Sequence, residues 1–122
     1  MAVLDFQPER LSKIKTKTKD GVWNLKLVPT KKIIQQIKKW DPNIFLVGFK
    51  LEVGISQEKL FAAAKRLLRQ SRANLVLANQ LTEGADAQHQ GWLLNAKGEI
   101  VLKGKGKDQL SRRLIQKLSE DF

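Results

Sequence analysis

Apolar positions along the chain fall into blocks whose spacing alternates between two and three-to-four. Residues 1–6 alternate weakly and stop at Asp5-Phe6-Gln7-Pro8, which predicts a short strand at 1–6 running into a turn. Residues 9–20 carry Arg10, Lys13, Lys15, Lys17 and Lys19 with little to bury, and read as a basic loop. Val22-Trp23-Asn24-Leu25-Lys26-Leu27-Val28 alternates with period two and predicts a half-buried strand at 22–28, ended by Pro29. Thr30 suits the N-cap of a helix at 30–40 in which Ile33, Ile34 and Ile37 form a stripe. The unbroken run from Ile44 to Phe49 predicts a strand at 44–50 covered on both faces. Ser56 heads a helix at 57–72 with a core face of Leu60, Phe61, Ala64, Leu67 and Leu68, and Leu75-Val76-Leu77-Ala78 predicts a strand at 74–78. Strand, helix and strand with short connections make a βαβ unit, so 44–50 and 74–78 are expected as parallel neighbours.

Residues 80–90 read as an irregular polar loop, and 91–95 with 99–102 as a hairpin turning at Ala96-Lys97-Gly98. A closing helix at 108–120 turns Leu110, Leu114, Ile115 and Leu118 inward. Lys103-Gly104-Lys105-Gly106-Lys107 is the one low-complexity stretch and reads as a solvated loop. The predicted fold is α/β, a three-layer Rossmann-like arrangement with a mainly parallel sheet and a C-terminal hairpin, in a single domain over 1–122. A sheet of this kind normally opens with a glycine-rich phosphate loop after its first strand. This chain has none, so the pattern reads as a partial domain entered midway.

Composition narrows the chemistry. The 122 residues contain no cysteine and one histidine, His89, which argues against disulfides, thiolate chemistry, multi-histidine metal sites and a Ser-His-Asp triad. The absence of cysteine fits a reducing cytoplasm, and no apolar run reaches the roughly 20 residues of a membrane span. Twenty-three Lys and Arg against twelve Asp and Glu give a net charge of +11, weighted toward residues 1–50, where eleven basic residues face four acidic ones. A field of that sign attracts nucleic acid, nucleotide phosphates, phosphorylated metabolites or an anionic surface, and charge alone does not choose among them.

Several residues carry two readings on the sequence alone. Lys13 is one of four alternating lysines on a loop, suited either to solvation or to closing over a phosphate. Asp5 either bonds its own turn or accepts from a ligand beyond a strand end. Phe49 is an aromatic at the end of a buried strand, where core packing competes with contact to a base. Lys65, Arg69 and Arg72 share one helical stripe, with no acid between Lys65 and Arg72, either as a solvated face or as a grip on phosphates. Asn79 ends a strand, either bonding substrate or capping the following loop. His89 reads as a surface residue.

Five landmarks in order then carry a resemblance: Ala2-Val3-Leu4-Asp5-Phe6, Lys13-Ile14-Lys15, Val47-Gly48-Phe49-Lys50-Leu51-Glu52, Ala73-Asn74-Leu75-Val76-Leu77-Ala78-Asn79, and Lys107 at the opening of the last helix. From the first strand onward the sequence resembles the C-terminal half of phosphopantothenate–cysteine ligase, of the DNA/pantothenate metabolism flavoprotein family, in its stand-alone Gram-positive form. It departs from the family pattern at Asn74 and Gln80, where the family carries Asp, and at Thr30-Lys31, where it carries Thr-Pro. The family's two helix lysines fall on Lys65 and Arg69 only with a slip of two residues.

The resemblance implies CTP-dependent ligation of 4′-phosphopantothenate to cysteine through an acyl-cytidylate, in coenzyme A biosynthesis. Lys13 would then be the catalytic flap lysine, with Asp5, Lys13, Phe49, Lys65 and Arg69 binding nucleotide. Mg2+ would arrive with the CTP, and no flavin is expected in this part. The resemblance also implies a cytoplasmic homodimer without membrane attachment, and an N-terminal half that carries the glycine-rich opening and a Ser-Ser-Gly segment. The isolated chain is accordingly expected to self-associate and to show little or no ligase activity. Two other classes stay open: a nucleic-acid-binding module using Trp23, Trp40 and Trp92 as stacking platforms, and a non-catalytic dimerising relic.

Overall fold

The computed structural model describes residues 5–10, 21–82, 84 and 88–121. Lys13 and the expected strand residues 1–4 therefore lie outside the described residues. The chain groups into two compact units, Met1–Ile33 and Ile34–Phe122, where the sequence pattern reads as one domain.

In the first unit β1 (Phe6–Pro8) pairs antiparallel with β2 (Leu27–Pro29), and Thr30 N–H donates to the Asp5 carbonyl at 2.8 Å. The strand expected at 22–28 shrinks to its last residues, because Val22, Trp23 and Leu25 are exposed and have no apolar layer to enter. The helix expected from residue 30 starts four residues later for a related reason: the Thr30 amide is already engaged in the hairpin.

The second unit is a three-layer α/β sandwich. Its elements are α1 (Ile34–Trp40), β3 (Val47–Val53), α2 (Gln57–Ser71), β4 (Leu75–Leu81), β5 (His89–Asn95), β6 (Ile100–Lys105) and α3 (Lys107–Asp121). The sheet order is β3-β4-β5-β6. β3 and β4 are parallel, as the βαβ argument requires, with Val47 opposite Leu75 and Val53 opposite Leu81. β4–β5 and β5–β6 are antiparallel, so β3, β4 and β6 run one way and β5 runs against them. The run Lys103–Lys105, expected as a solvated loop, completes β6, because its alternation continues the ladder opposite Gln90, Gly91 and Trp92.

Two apolar clusters glue the layers. On one face Leu60, Ala64 and Leu68 of α2 meet Val76, Ala78, Trp92 and Leu94, with Ile34 and Ile37 of α1 packed against them. On the other, Leu110 and Leu114 of α3 meet Leu75, Leu77 and Leu93. α2 is held at both ends: Ser56 Oγ accepts from Lys59 N–H, and Arg72 closes it in the left-handed conformation at φ 55°. The expectation that fails is full coverage of the first parallel strand. Phe49, Leu51 and Val53 on the α3 side of β3 are 60, 55 and 49% exposed, because α3 packs over β5 and β6 and leaves β3 bare on that side.

Candidate active site

Ligands of α/β sheets bind beyond the carboxyl ends of the parallel strands. Here that end is formed by Val53 and Leu81, the Gly54–Ser56 loop, the first turn of α2 and the closing residues of β6. Gly54 N–H donates to the Leu81 carbonyl at 3.2 Å, and the Gln80 side-chain amide donates to the Ile55 carbonyl. These two bonds fix the loop that leads into α2. Lys50 and Glu52, two apart on the α2 face of β3, form an ion pair at 2.9 Å.

A cleft of about 440 Å3 opens at this end, along β6. Gln57, Trp92, Lys103, Lys105, Gln109 and Arg113 line it, and among the described residues no acidic side chain does. Arg113 donates to the Lys103 carbonyl and Gln109 accepts from Lys105 N–H at 2.7 Å, so both side chains are anchored on the strand edge. Among the described residues no ion pair engages Lys103, Lys105 or Arg113. Trp92 is buried edge-to-face on Phe61, with ring centroids 5.4 Å apart. Gly91 lets α3 close over the neighbouring strand: a Cβ there would stand 2.8 Å from Leu110.

The sequence-derived candidates are dispersed. Phe49 lies on the α3 face of the sheet, opposite Leu77. Lys65 and Arg69 lie on α2, on the opposite face. The Lys65 stem crosses Gly98, 3.3 Å from where a Cβ would stand, at the hairpin turn beyond the amino end of β4. The structure therefore does not bring Lys65 or Arg69 to Phe49 or to the strand carboxyl ends. Arg72, on the same sequence stripe, donates to the Lys38 carbonyl at 3.1 Å and closes the end of α1. Asp5 belongs to the Met1–Ile33 unit, where its carboxylate pairs with Lys32 at 3.1 Å.

Two of the family departures, Asn74 and Gln80, have structural work here. Asn74 Oδ1 accepts from Leu46 N–H at 2.9 Å, a role a carboxylate oxygen also fills, and Gln80 anchors the loop. Asn79 is buried, donating to the Leu77 carbonyl at 3.2 Å. His89, expected at the surface, is half-buried, and its Nδ1 has no partner among the described residues. The cations at the cleft were missed because glycines interrupt them; the signal was the period-two continuation Val101, Lys103, Lys105. Among the described residues no group of three His, Asp or Glu side chains is placed to hold a metal, and no helix is long and apolar enough to cross a membrane.

Residues 1–122 match the family described as DNA/pantothenate metabolism flavoprotein C-terminal domain. The chain belongs to that family. It is 33% identical over 119 residues to the coenzyme A biosynthesis bifunctional protein CoaBC of Thermococcus kodakarensis, covering 98% of this chain and 29% of that protein. The crystal structure of the DNA/pantothenate metabolism flavoprotein from Streptococcus pneumoniae superposes with a TM-score of 0.80 at 27% identity, over 100% of this chain and 61% of that one. The chain thus spans less than two thirds of either relative, and the resemblance carried by its five landmarks holds at the level of the family.

Proposed function

We propose that this chain acts in coenzyme A biosynthesis as the nucleotide-handling half of a ligase that joins 4′-phosphopantothenate to cysteine with CTP. The observation that carries this reading is the family match over residues 1–122. The chemistry has two displacements. The pantothenate carboxylate oxygen attacks the α-phosphorus of CTP and the bond to pyrophosphate breaks. The cysteine nitrogen then attacks the acyl carbon, CMP leaves, and the amine gives up a proton. Both steps shift negative charge among phosphate oxygens, so the protein's task is to hold the reactants together and supply fixed cations.

In this reading Lys13 neutralises the α-phosphate, Asp5 accepts from the nucleotide or the flap, and Phe49 flanks the base. Magnesium is proposed as part of the substrate, carried by phosphate oxygens and water. Two cation sets compete for the β- and γ-phosphates. Lys65 and Arg69 are favoured by the resemblance, and Lys103 with Lys105 by their place at the strand carboxyl ends. Homodimer formation belongs to the same proposal, with Phe6, Trp23 and Leu27 of the Met1–Ile33 unit as exposed apolar surface for it.

A nucleic-acid-binding module is favoured by one observation: Trp23 and Trp40 are 68 and 70% exposed on a chain of net charge +11. Titration with CTP, ATP and a random oligonucleotide over a salt series separates the readings. The ligase reading requires preference for CTP and a shallow salt slope; a steep oligonucleotide slope without CTP preference sinks it.

A further inference from the structure

Lys103 stands opposite Trp92 in the β5–β6 ladder, and Lys105 stands opposite Gln90. Opposed side chains share a face of a sheet, and Trp92 packs on Phe61 of α2. Both lysines therefore project on the α2 side, about 7 Å apart along the strand, and both are exposed. The Gly104 position between them faces α3. A Cβ there would stand 3.0 Å from Leu110 and 3.1 Å from Gln109 Oε1. The glycine thus lets α3 lie close enough for Gln109 to accept from Lys105 N–H at 2.7 Å. Arg113, four residues on and on the same side of α3, donates to the Lys103 carbonyl.

Each of these bonds spends only part of a side chain. Gln109 engages its oxygen and keeps its NH2, and Arg113 keeps most of its planar fork of N–H donors. Lys103 and Lys105 make no ion pair among the described residues. Gln57 at the start of α2 and Gln90 on β5 complete the cleft of about 440 Å3, which lies wholly within the Ile34–Phe122 unit. Glu58 and Asp108, the acids next in sequence to Gln57 and Gln109, do not line it. Three cations held together without a counter-charge repel one another, and an anion between them removes that cost. The groups left to face it are donors: two ammonium groups, a guanidinium and a carboxamide NH2. That set matches a tetrahedral dianion with several acceptor oxygens, as a phosphate ester presents. A carboxylate brings one charge and two oxygens and leaves donors unmet. The cleft has the size of a small-molecule site, so the phosphate arrives on an organic body, whose polar groups meet Gln57 and Gln90.

We infer that this cleft is a binding site for the phosphate group of a small phosphorylated molecule, held by Arg113, Lys103 and Lys105 with Gln109 as a neutral donor. The proposed function leaves two cation sets competing for the β- and γ-phosphates of CTP. A phosphate seat here stands whichever set CTP uses. The phosphate has two sources, the nucleotide itself or a separate phosphorylated metabolite, and the test separates them.

Isothermal titration of the 122-residue chain with phenyl phosphate at fixed ionic strength, beside amide NMR, tests it. Phenyl phosphate should bind saturably and move the amide resonances of residues 103–109 and of Arg113. Lys105→Gln and Arg113→Gln should each weaken binding by about tenfold or more. Arg112→Gln removes the same charge from α3 outside the cleft and should change affinity by less than about twofold. Should Arg113→Gln unfold the chain, Lys105→Gln decides, because that side chain has no partner among the described residues to lose. Saturating CTP that displaces phenyl phosphate assigns the site to the nucleotide, and phenyl phosphate that binds beside CTP assigns it to a separate metabolite; either result upholds the site. No saturable binding, resonance shifts confined to other residues, or equal weakening by Arg112→Gln and Lys105→Gln would each overturn the inference. So would displacement by a random oligonucleotide with a steep salt slope, which would assign the cleft to a polynucleotide. Pyrophosphate release by the active assembly is read separately, so phosphate binding without ligation keeps the site and removes the proposed function, and ligation without phosphate binding does the reverse.

Discussion

Lys13 is where one side chain bears most on the proposed chemistry. Lys13→Gln is expected to leave thermal stability unchanged and to lower turnover of the active assembly about a hundredfold, the usual scale for one charge-stabilising donor. Steady-state pyrophosphate release beside a melting curve checks both halves of that statement, and near-wild-type turnover returns Lys13 to solvent. Asn74 makes the opposite kind of prediction. Its Oδ1 accepts from the Leu46 amide at the start of β3, so Asn74→Ala should cost about 1–3 kcal/mol by stranding that donor. Asn74→Asp keeps an acceptor and should restore most of it in a urea titration. Gly91→Val should lower stability by about 1–3 kcal/mol, because the added atoms meet Leu110 of α3 before any ligand could.

Elements decide where the cations can act. α2 runs back from the carboxyl end of β3 to the amino end of β4, and by Lys65 it has already reached the β5–β6 turn. The double variant Lys65→Gln/Arg69→Gln is therefore expected to change CTP affinity less than Lys103→Gln/Lys105→Gln in the active assembly. Isothermal titration ranks the two pairs, and the reverse order would favour the resemblance over strand-end geometry. The elements themselves were legible wherever burial dictated spacing. The α2 stripe, the apolar run of β4 and the Ser56 cap are local patterns that the packed core repeats. Legibility failed where a partner, not a pattern, decides. Val22-Trp23-Asn24-Leu25 alternates like a strand and has no layer to enter, and Lys103-Gly104-Lys105 looks like a linker and is held by the neighbouring ladder. Candidate site residues were least legible: a helical stripe shows which residues share a side of α2, and the end of the sheet that side reaches follows only from strand order.

At the scale of the whole molecule, β6 and β3 are the two edges of the second unit's sheet among the described residues, with Phe49, Leu51 and Val53 exposed on β3, while the cationic cleft lies at the carboxyl ends between α2 and α3. The chain covers 29% of one relative and 61% of another, and the proposed function assigns it the nucleotide-handling half of the ligase. The most direct measurement is a coupled pyrophosphate-release assay with CTP, 4′-phosphopantothenate and cysteine, run on this chain with and without the remaining half of the family's fold, in trans or joined ahead of Met1. The account predicts turnover that requires all three substrates and appears only when that half is supplied. Full turnover by this chain alone, as a monodisperse monomer, would contradict it.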